Sequence, residues 1–305
     1  MAERFDSRAA FAARWVGAAP QKDGRALGRW AVAPQTGLTT LDRERFYALG
    51  ARLDARVDNA GSDLVVQFSV RYPEGATCGG GYVKLFTDAQ LPDMRLLSAA
   101  TPYVLLFGPD YCGAKRRLLV EFGRNGKTHG IMREIALPQD LVGVTHLYTL
   151  VLRADNSYCV RIDNAEAAAG RLEDDWDMVP PRLVPDPDAR KPADWVDDPE
   201  MDDPADAQPE DWNAGVPEYI VDADAEPPSD WDEAAEGRAW APPAVRNPAH
   251  RGAWRPRRVP NPRYAGPWAP RMVRNAAYVP DAGLHDVSGA SALGLEHWQV
   301  QRNVR

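Results

Sequence analysis

Apolar and polar positions alternate through residues 64–70, Leu-Val-Val-Gln-Phe-Ser-Val, and a period of two predicts a strand with one face buried. The same pattern predicts strands at 82–86, 103–107, 118–122 and 129–132. Asn125-Gly126 separates the last two, and this dipeptide is the strongest short signal for a tight hairpin. Residues 146–153 read as a strand paired with 158–162 across the turn 154–157, whose Asp, Asn and Ser suit a turn. Trp30-Ala-Val-Ala reads as a short strand, Arg45-Phe-Tyr-Ala-Leu follows a polar stretch, and 5–19 has only patchy apolar spacing around Phe11 and Trp15. Strands at short spacing with no helical period between them predict an all-β antiparallel sandwich. Residues 288–300 are too few to fold alone, so they are expected to rejoin that sandwich with Trp298 as anchor. What lies before them is then an insertion in one domain.

The insertion has its own period. Pro-x-Asp-Trp occurs three times, and its tryptophans, Trp195, Trp212 and Trp231, step by 17 (195 to 212) and 19 (212 to 231). Trp-x-Pro units follow at Trp240, Trp254 and Trp268, stepping by 14 twice (240 to 254, 254 to 268) and each leading to an Asn at 247, 261 and 275. Three units of one kind followed by three of another suggest a limb that runs out, turns near 233–239 and returns beside itself. The prolines exclude helix interiors and central strands. The indole rings are therefore the expected braces between two thin limbs. An acidic outgoing limb (Asp197, Asp198, Glu200, Asp202, Asp203) faces a basic return limb (Arg255, Arg257, Arg258, Arg271), which favours pairing in register. A disordered Pro-rich linker is the alternative, but disorder gives no reason for a fixed Trp period. The expected divisions are a globular part at 1–182, the arm at 183–281 and a returning segment at 282–305.

Composition adds bounds. The chain has 305 residues, 44% hydrophobic, and a net charge of −8, enough for one large core and against a general nucleic-acid binder. No apolar run is long enough to span a bilayer. The N-terminus lacks the apolar core of a secretory signal and the C-terminus carries no retention tetrapeptide. Three cysteines leave at least one thiol unpaired.

Catalytic patterns are weak. The five histidines show no HExxH spacing and no cysteine partner at zinc spacing. Glu173-Asp-Asp-Trp-Asp177 could supply paired carboxylates for glycoside hydrolysis, but a solvated entry to the arm is the plainer reading. Cys78-Gly-Gly-Gly-Tyr-Val-Lys84 has no Gly-Lys-Ser/Thr and no following helix, so it is not a phosphate loop. Its glycines would let the backbone pass close beneath something on the sheet.

These blocks, taken together, resemble the calreticulin and calnexin family of lectin chaperones. The resemblance runs through Phe46-Tyr-Ala-Leu, the glycine block to Phe86, Phe107-Gly-Pro-Asp-Tyr-Cys-Gly113, Thr145-His-Leu-Tyr-Thr-Leu150, Ile162-Asp-Asn, Leu172-Glu-Asp-Asp-Trp-Asp177, both repeats and Leu295-Glu-His-Trp-Gln-Val300. Three repeats of each type place it nearer the calreticulin branch. The resemblance implies a legume-lectin-like (concanavalin A-like) sandwich and binding of monoglucosylated high-mannose N-glycans on folding glycoproteins, without enzymatic activity. It implies sugar contacts at Tyr82, Lys84, Tyr103, Asp110 and Glu296, and a disulfide between Cys78 and Cys112. Cys159, in a strand and without a counterpart in the family, is expected to be a buried free thiol. It further implies a monomer in the lumen of the endoplasmic reticulum, with an oxidoreductase of the protein disulfide isomerase type docking at the arm tip, where Glu236 and Trp240 match the family.

Several positions depart from the family. Glu296 stands where the family has Asp, and Leu106 where it has Met; Ala234 and Arg238 make the tip less acidic. The chain stops at Arg305, before the family's last strand, terminal helix, acidic tail and retention signal, so high-capacity calcium storage is not expected. Structural Ca2+ is implied only weakly, through backbone carbonyls near Arg4, Pro34 and Thr36. Beside the lectin chaperone stand two further readings, a protein-interaction module that has lost sugar recognition and a sandwich-fold glycosidase acting near Asp174.

Overall fold

The computed structural model describes residues 1–20, 26–33, 36–73, 76–232, 234 and 237–300. Contacts divide the chain into a body, residues 1–184 with 274–305, and a second unit, 185–273. In chain order the body carries a helix α1 (Arg8–Arg14) and strands β1 (Val16–Gly17), β2 (Trp30–Ala33), β3 (Gly37–Thr40), β4 (Phe46–Arg52), β5 (Leu64–Arg71) and β6 (Cys78–Thr87). It continues with β7 (Leu105–Cys112), β8 (Lys115–Arg124), β9 (Lys127–Gly130), β10 (Thr145–Leu152), β11 (Ser157–Ile162) and β12 (Ala165–Arg171). Short strands β13 (Leu183–Pro185), β14 (Glu200–Asp202), β15 (Tyr219–Val221), β16 (Ala244–Arg246), β17 (Arg258–Pro260) and β18 (Met272–Arg274) follow, and β19 (Ala290–Val300) closes the body.

A seven-stranded sheet runs β1-β4-β19-β6-β7-β8-β9, and a four-stranded sheet runs β12-β11-β10-β5. The predicted hairpins form. Asn125 and Gly126 take positive φ (51° and 73°) between β8 and β9, the geometry that asparagine and glycine tolerate best. β10 and β11 pair from Tyr148↔Ile162 to Leu152↔Tyr158. The inner faces meet in one core, with Leu105, Phe107 and Val120 from the larger sheet against Tyr148, Leu150 and Val160 from the smaller, all at most 1% exposed. Each such burial contributes about 1.5 to 3 kcal/mol. Trp176 is sealed beneath Phe122 and Tyr158 and donates its indole N–H to the Val120 carbonyl at 3.2 Å.

Three details differ from the sequence reading. Residues 8–14 form a short helix capped by the Ser7 hydroxyl, because Phe11 and Trp15 gather with Phe5 in a local aromatic cluster. The strand expected at 103–107 begins at Leu105, leaving Tyr103 in the preceding loop. The returning segment β19 lies between β4 and β6 and pairs with both. Trp298 does not anchor the core but shares the outer face with Tyr82, to which its N–H donates.

The second unit contains two antiparallel ladders, β14 with β17 and β15 with β16. Indole N–H groups brace the limbs, Trp195 to the Gly266 carbonyl at 2.8 Å and Trp212 to the Gly252 carbonyl at 3.0 Å. Both acceptors are glycines at positive φ. The repeated asparagines brace from the other side: Asn247 donates to the Pro217 carbonyl at 2.8 Å and Asn261 to that of Asp198 at 3.3 Å. Arg258 meets Asp198 at 2.9 Å and Asp202 at 3.1 Å. The turn expected at 233–239 falls partly outside the described residues, as does Glu236.

Cys78 and Cys112 are bonded and face each other in the β6–β7 register; Cys159 is a buried free thiol. The bridge closes a loop of 34 residues. Replacing both cysteines with serine is expected to lower the unfolding free energy by roughly 3 to 4 kcal/mol on loop-entropy grounds, measured by denaturant unfolding under non-reducing conditions. A loss well below 1 kcal/mol would show that the ladder alone holds the two strands.

Candidate functional site

The outer face of the seven-stranded sheet is built in rows by register. One row runs Gly294, Lys84, Leu106, Glu121 across β19, β6, β7 and β8; another holds Glu296 beside Tyr82; a third runs Trp298, Gly80, Asp110, Arg117. Alternation puts these side chains opposite the core. One end of this face is covered. Met94 and Leu97 pack there on Phe86, Ala48 and Ala292. Glycines make the close approach possible, since a Cβ on Gly50 would lie 2.8 Å from the Met94 sulfur and one on Gly294 2.8 Å from the Phe86 ring. Tyr103 ends the covering segment and packs at its margin. Beyond it lie the sugar-site positions expected from sequence.

All five of those positions come together: Tyr82 with Asp110 and Lys84 with Glu296 are hydrogen-bonded, and the Tyr103 ring lies beside Lys84. Tyr82 donates its hydroxyl to Asp110 Oδ2 and accepts the Trp298 indole N–H at 2.9 Å. Lys84 Nζ meets Glu296 Oε2 at 2.7 Å and lies 5.0 Å from the centre of the Tyr103 ring. Tyr103 donates its hydroxyl to Glu121 Oε2. The glycine block has a direct role in this arrangement. A Cβ on Gly80 would collide with both the Tyr82 hydroxyl and the Trp298 indole, and one on Gly108 would collide with the Gly81 carbonyl. What passes close above Gly80 is thus the protein's own aromatic pair.

Electrostatics set this patch apart. Lys84 is 4% and Glu296 11% exposed at the side chain, a charged pair taken almost wholly out of water. Burial raises the Glu296 pKa above the usual carboxylate range, with Lys84 pulling it back only partly. Glu296 Oε1 has no hydrogen-bond partner among the described residues. Burial, and then the hydrogen bonds to Asp110 and Glu121, push the Tyr82 and Tyr103 phenols far up, so both keep their protons at neutral pH.

Trp298 and Glu121 join this face beyond the five positions expected from the sequence. Trp298 was within reach, since it lies two residues from Glu296 and so shares its face. Glu121 becomes visible only through the register that places it across from Leu106. Trp240 is half-buried in the second unit, and Glu236 lies outside the described residues. The acidic run 173–177 is engaged otherwise: Glu173 bonds Arg171 at 2.8 Å and also Arg182, and Tyr158 donates to Asp175 at 2.6 Å. A cavity of about 1100 Å³ lies beside that run, away from the Tyr82 patch. For calcium, no group of three or more His, Cys, Asp or Glu side chains suited to a metal occurs among the described residues. The Arg4 carbonyl approaches Gly37 to within 3.8 Å of a Cβ position there, while Pro34 lies outside the described residues. No helix among the described residues is long and apolar enough to cross a membrane.

Lys84→Met leaves Glu296 buried without its cation and is expected to cost about 3 to 5 kcal/mol of stability at pH 7. The Glu296 folded-state pKa lies above its unfolded value, so the folded form holds the proton more tightly. Its stability contribution is therefore greatest below the unfolded pKa and falls as pH rises through the folded one. The loss in Lys84→Met should shrink in acid, below the carboxylate range, and Lys84→Met with Glu296→Gln should recover most of it, as read from unfolding curves across pH. A pH-independent loss would mean that packing of the lysine stem is what matters.

The sequence model of the Calreticulin family matches residues 2–238 and 235–305 of this chain. Calreticulin of Onchocerca volvulus is 45% identical over 299 residues, covering 94% of this chain and 74% of that protein. Calreticulin of Caenorhabditis elegans is 50% identical over 266 residues, covering 87% of this chain; the alignment spans 65% of that relative's length. The solved T. cruzi calreticulin globular domain superposes with a TM-score of 0.59 at 24% identity, covering 98% of this chain and 82% of that one. This likeness supports the legume-lectin-like fold.

Proposed function

This chain belongs to the calreticulin family, and we propose that it is a lectin chaperone whose outer sheet face reads the terminal glucose of a monoglucosylated high-mannose N-glycan on folding glycoproteins. The observation that carries this reading is the convergence of Tyr82, Lys84, Tyr103, Asp110 and Glu296, with Trp298, on one patch left open by the covering segment. A hexose presents an apolar face, which an aromatic ring covers, and a rim of hydroxyls, which carboxylates and an ammonium satisfy. Hydrogen bonds to charged groups contribute about 1.5 to 3 kcal/mol each. Micromolar affinity needs about −8 kcal/mol, so a few such contacts suffice.

Members of this family are chaperones, not enzymes, and the carboxylates near Asp174 serve structural bonds. In this reading the protein acts as a monomer in the endoplasmic reticulum lumen, where relatives reside and where the Cys78–Cys112 bridge is stable. The arm recruits a protein disulfide isomerase-type oxidoreductase through its tip, near Trp240. Calcium binding is a family property, and the sugar site proposed here does not rely on it. The alternative, an interaction module without sugar recognition, draws on the exposed Tyr219 and Val221 of β15, 58% and 61% accessible.

Calorimetric titration with glucosylated and unglucosylated oligomannose separates these readings. Binding only of the glucosylated form, weakened at least about tenfold by Tyr82→Ala or Asp110→Ala, is the expected result. Equal binding of both glycans, or variants with unaltered affinity, would remove this face from sugar recognition.

A further inference from the structure

We propose that the β15–β16 ladder docks an extended, acidic and apolar peptide segment of a partner protein, which adds as a third strand along β16 with a carboxylate opposite Arg246. This inference is independent of the sugar-face reading.

Two ladders of the second unit share one pairing pattern but differ in surface. β14 and β17 pair Glu200↔Pro260, Met201↔Val259 and Asp202↔Arg258, while β15 and β16 pair Tyr219↔Arg246, Ile220↔Val245 and Val221↔Ala244. Side chains alternate between faces, so Glu200 and Asp202 share a face with Arg258, and Tyr219 and Val221 share one with Ala244 and Arg246. Arg258 closes its face with ion pairs to Asp202 at 3.1 Å and Asp198 at 2.9 Å. Arg246 forms no ion pair among the described residues, and Tyr219 and Val221 are 58% and 61% exposed. Even the central pair differs. Ile220 and Val245 are exposed, whereas Met201 and Val259 are half-buried. Apolar side chains left in water on a charged limb mark a contact surface.

The backbone offers a way to use it. Asn247 N–H bonds the Glu218 carbonyl at 2.8 Å and Asp222 N–H bonds that of Pro243 at 2.9 Å, one at each end of the ladder. Bonded pairs alternate with unbonded ones in an antiparallel ladder, so Ile220 and Val245 bond each other, and Ala244 and Arg246 turn their N–H and C=O groups away from β15. The sheet has two strands, and these outward groups have no backbone partner among the described residues. Such an edge accepts an extended peptide by strand addition.

Charge selects the peptide. Glu218 and Asp222 flank β15 at even positions, which alternation turns away from the Tyr219 face. That face therefore presents one guanidinium and no carboxylate from its strand positions. A carboxylate on the added strand would meet Arg246 directly, a pairing that suits a guanidinium, and a basic residue there would be repelled. The small Ala244 leaves room for a large apolar side chain of the peptide to lie across it toward Val221. So few residue pairs bury little surface, which fits a transient contact.

The probe is an acetylated and amidated peptide, Thr-Leu-Thr-Asp-Thr-Leu-Thr, titrated into the whole isotope-labelled chain and followed by NMR. The amides of Ala244 and Arg246 should shift and, at saturation, exchange with solvent at least about fivefold more slowly. Replacing the peptide's Asp with Lys should weaken binding at least about fivefold. Arg246→Glu should reverse that preference, and its gain of Lys-peptide binding would show that the variant is folded. Equal affinity for the two peptides, or an unaltered preference in Arg246→Glu, would reduce the contact to apolar adhesion and overturn the proposal. It would also fall if Ala244 and Arg246 fail to shift at about 1 mM peptide, or if the β14–β17 ladder responds equally.

Discussion

The pairing of β19 between β4 and β6 is the constraint on which the rest depends. It joins residues separated by more than 200 positions, as in the Lys84–Glu296 pair, and so brings chain from both sides of the inserted unit into one sheet. The proposed sugar face has no source of Glu296 or Trp298 without it. The cost is kinetic and entropic, since a contact of such high sequence separation closes a very long loop before it is rewarded. Placing the strand centrally secures it by two ladders rather than one.

Within that frame the least economical feature is the Lys84–Glu296 pair. Removing two charges from water is expensive, and a well-packed apolar pair of the same size often does as well or better for stability. Stability alone therefore gives little reason to bury this pair, and one carboxylate oxygen has no partner among the described residues. A group held in that condition is primed for a ligand hydroxyl, whose hydrogen bond is worth more where water is excluded. The aromatic groups follow a similar logic. Tyr82 and Tyr103 are each fixed through their hydroxyl to a carboxylate, so in the proposed sugar-binding role their rings would stand in place beforehand, with little side-chain freedom left to lose.

The inserted unit solves a different problem. Two thin limbs cannot bury enough apolar surface to hold together as a core, so each repeat supplies discrete cross-limb bonds. A tryptophan N–H reaches a glycine carbonyl and an asparagine amide reaches back to the opposite limb. Trp231 departs from this pattern. Its buried indole nitrogen has no partner among the described residues, and Arg238 lies over its ring at 5.6 Å. The regular period of the repeats thus encodes a ladder of hydrogen bonds more than a packed surface.

Much of this was legible in the sequence. Alternation over β5 and the Asn125-Gly126 turn are local, because the period of side chains along a strand and the need for positive φ are properties of a few neighbouring residues. The Trp periods revealed the two limbs for the same reason, and the resemblance of ordered motifs pointed to the family and the five candidate sugar positions. Register was not legible. The central place of β19, the outward turn of Trp298, the asparagine braces and the stationing of Glu121 beside Tyr103 arise from pairing between distant strands. A one-residue slip in such pairing would turn every side chain to the other face, so these features were decided by how the two sheets pack. The sequence by itself determined which residue types were available for the proposed sugar site, and the tertiary structure alone decided which of them share a face, because only pairing between distant strands fixes that.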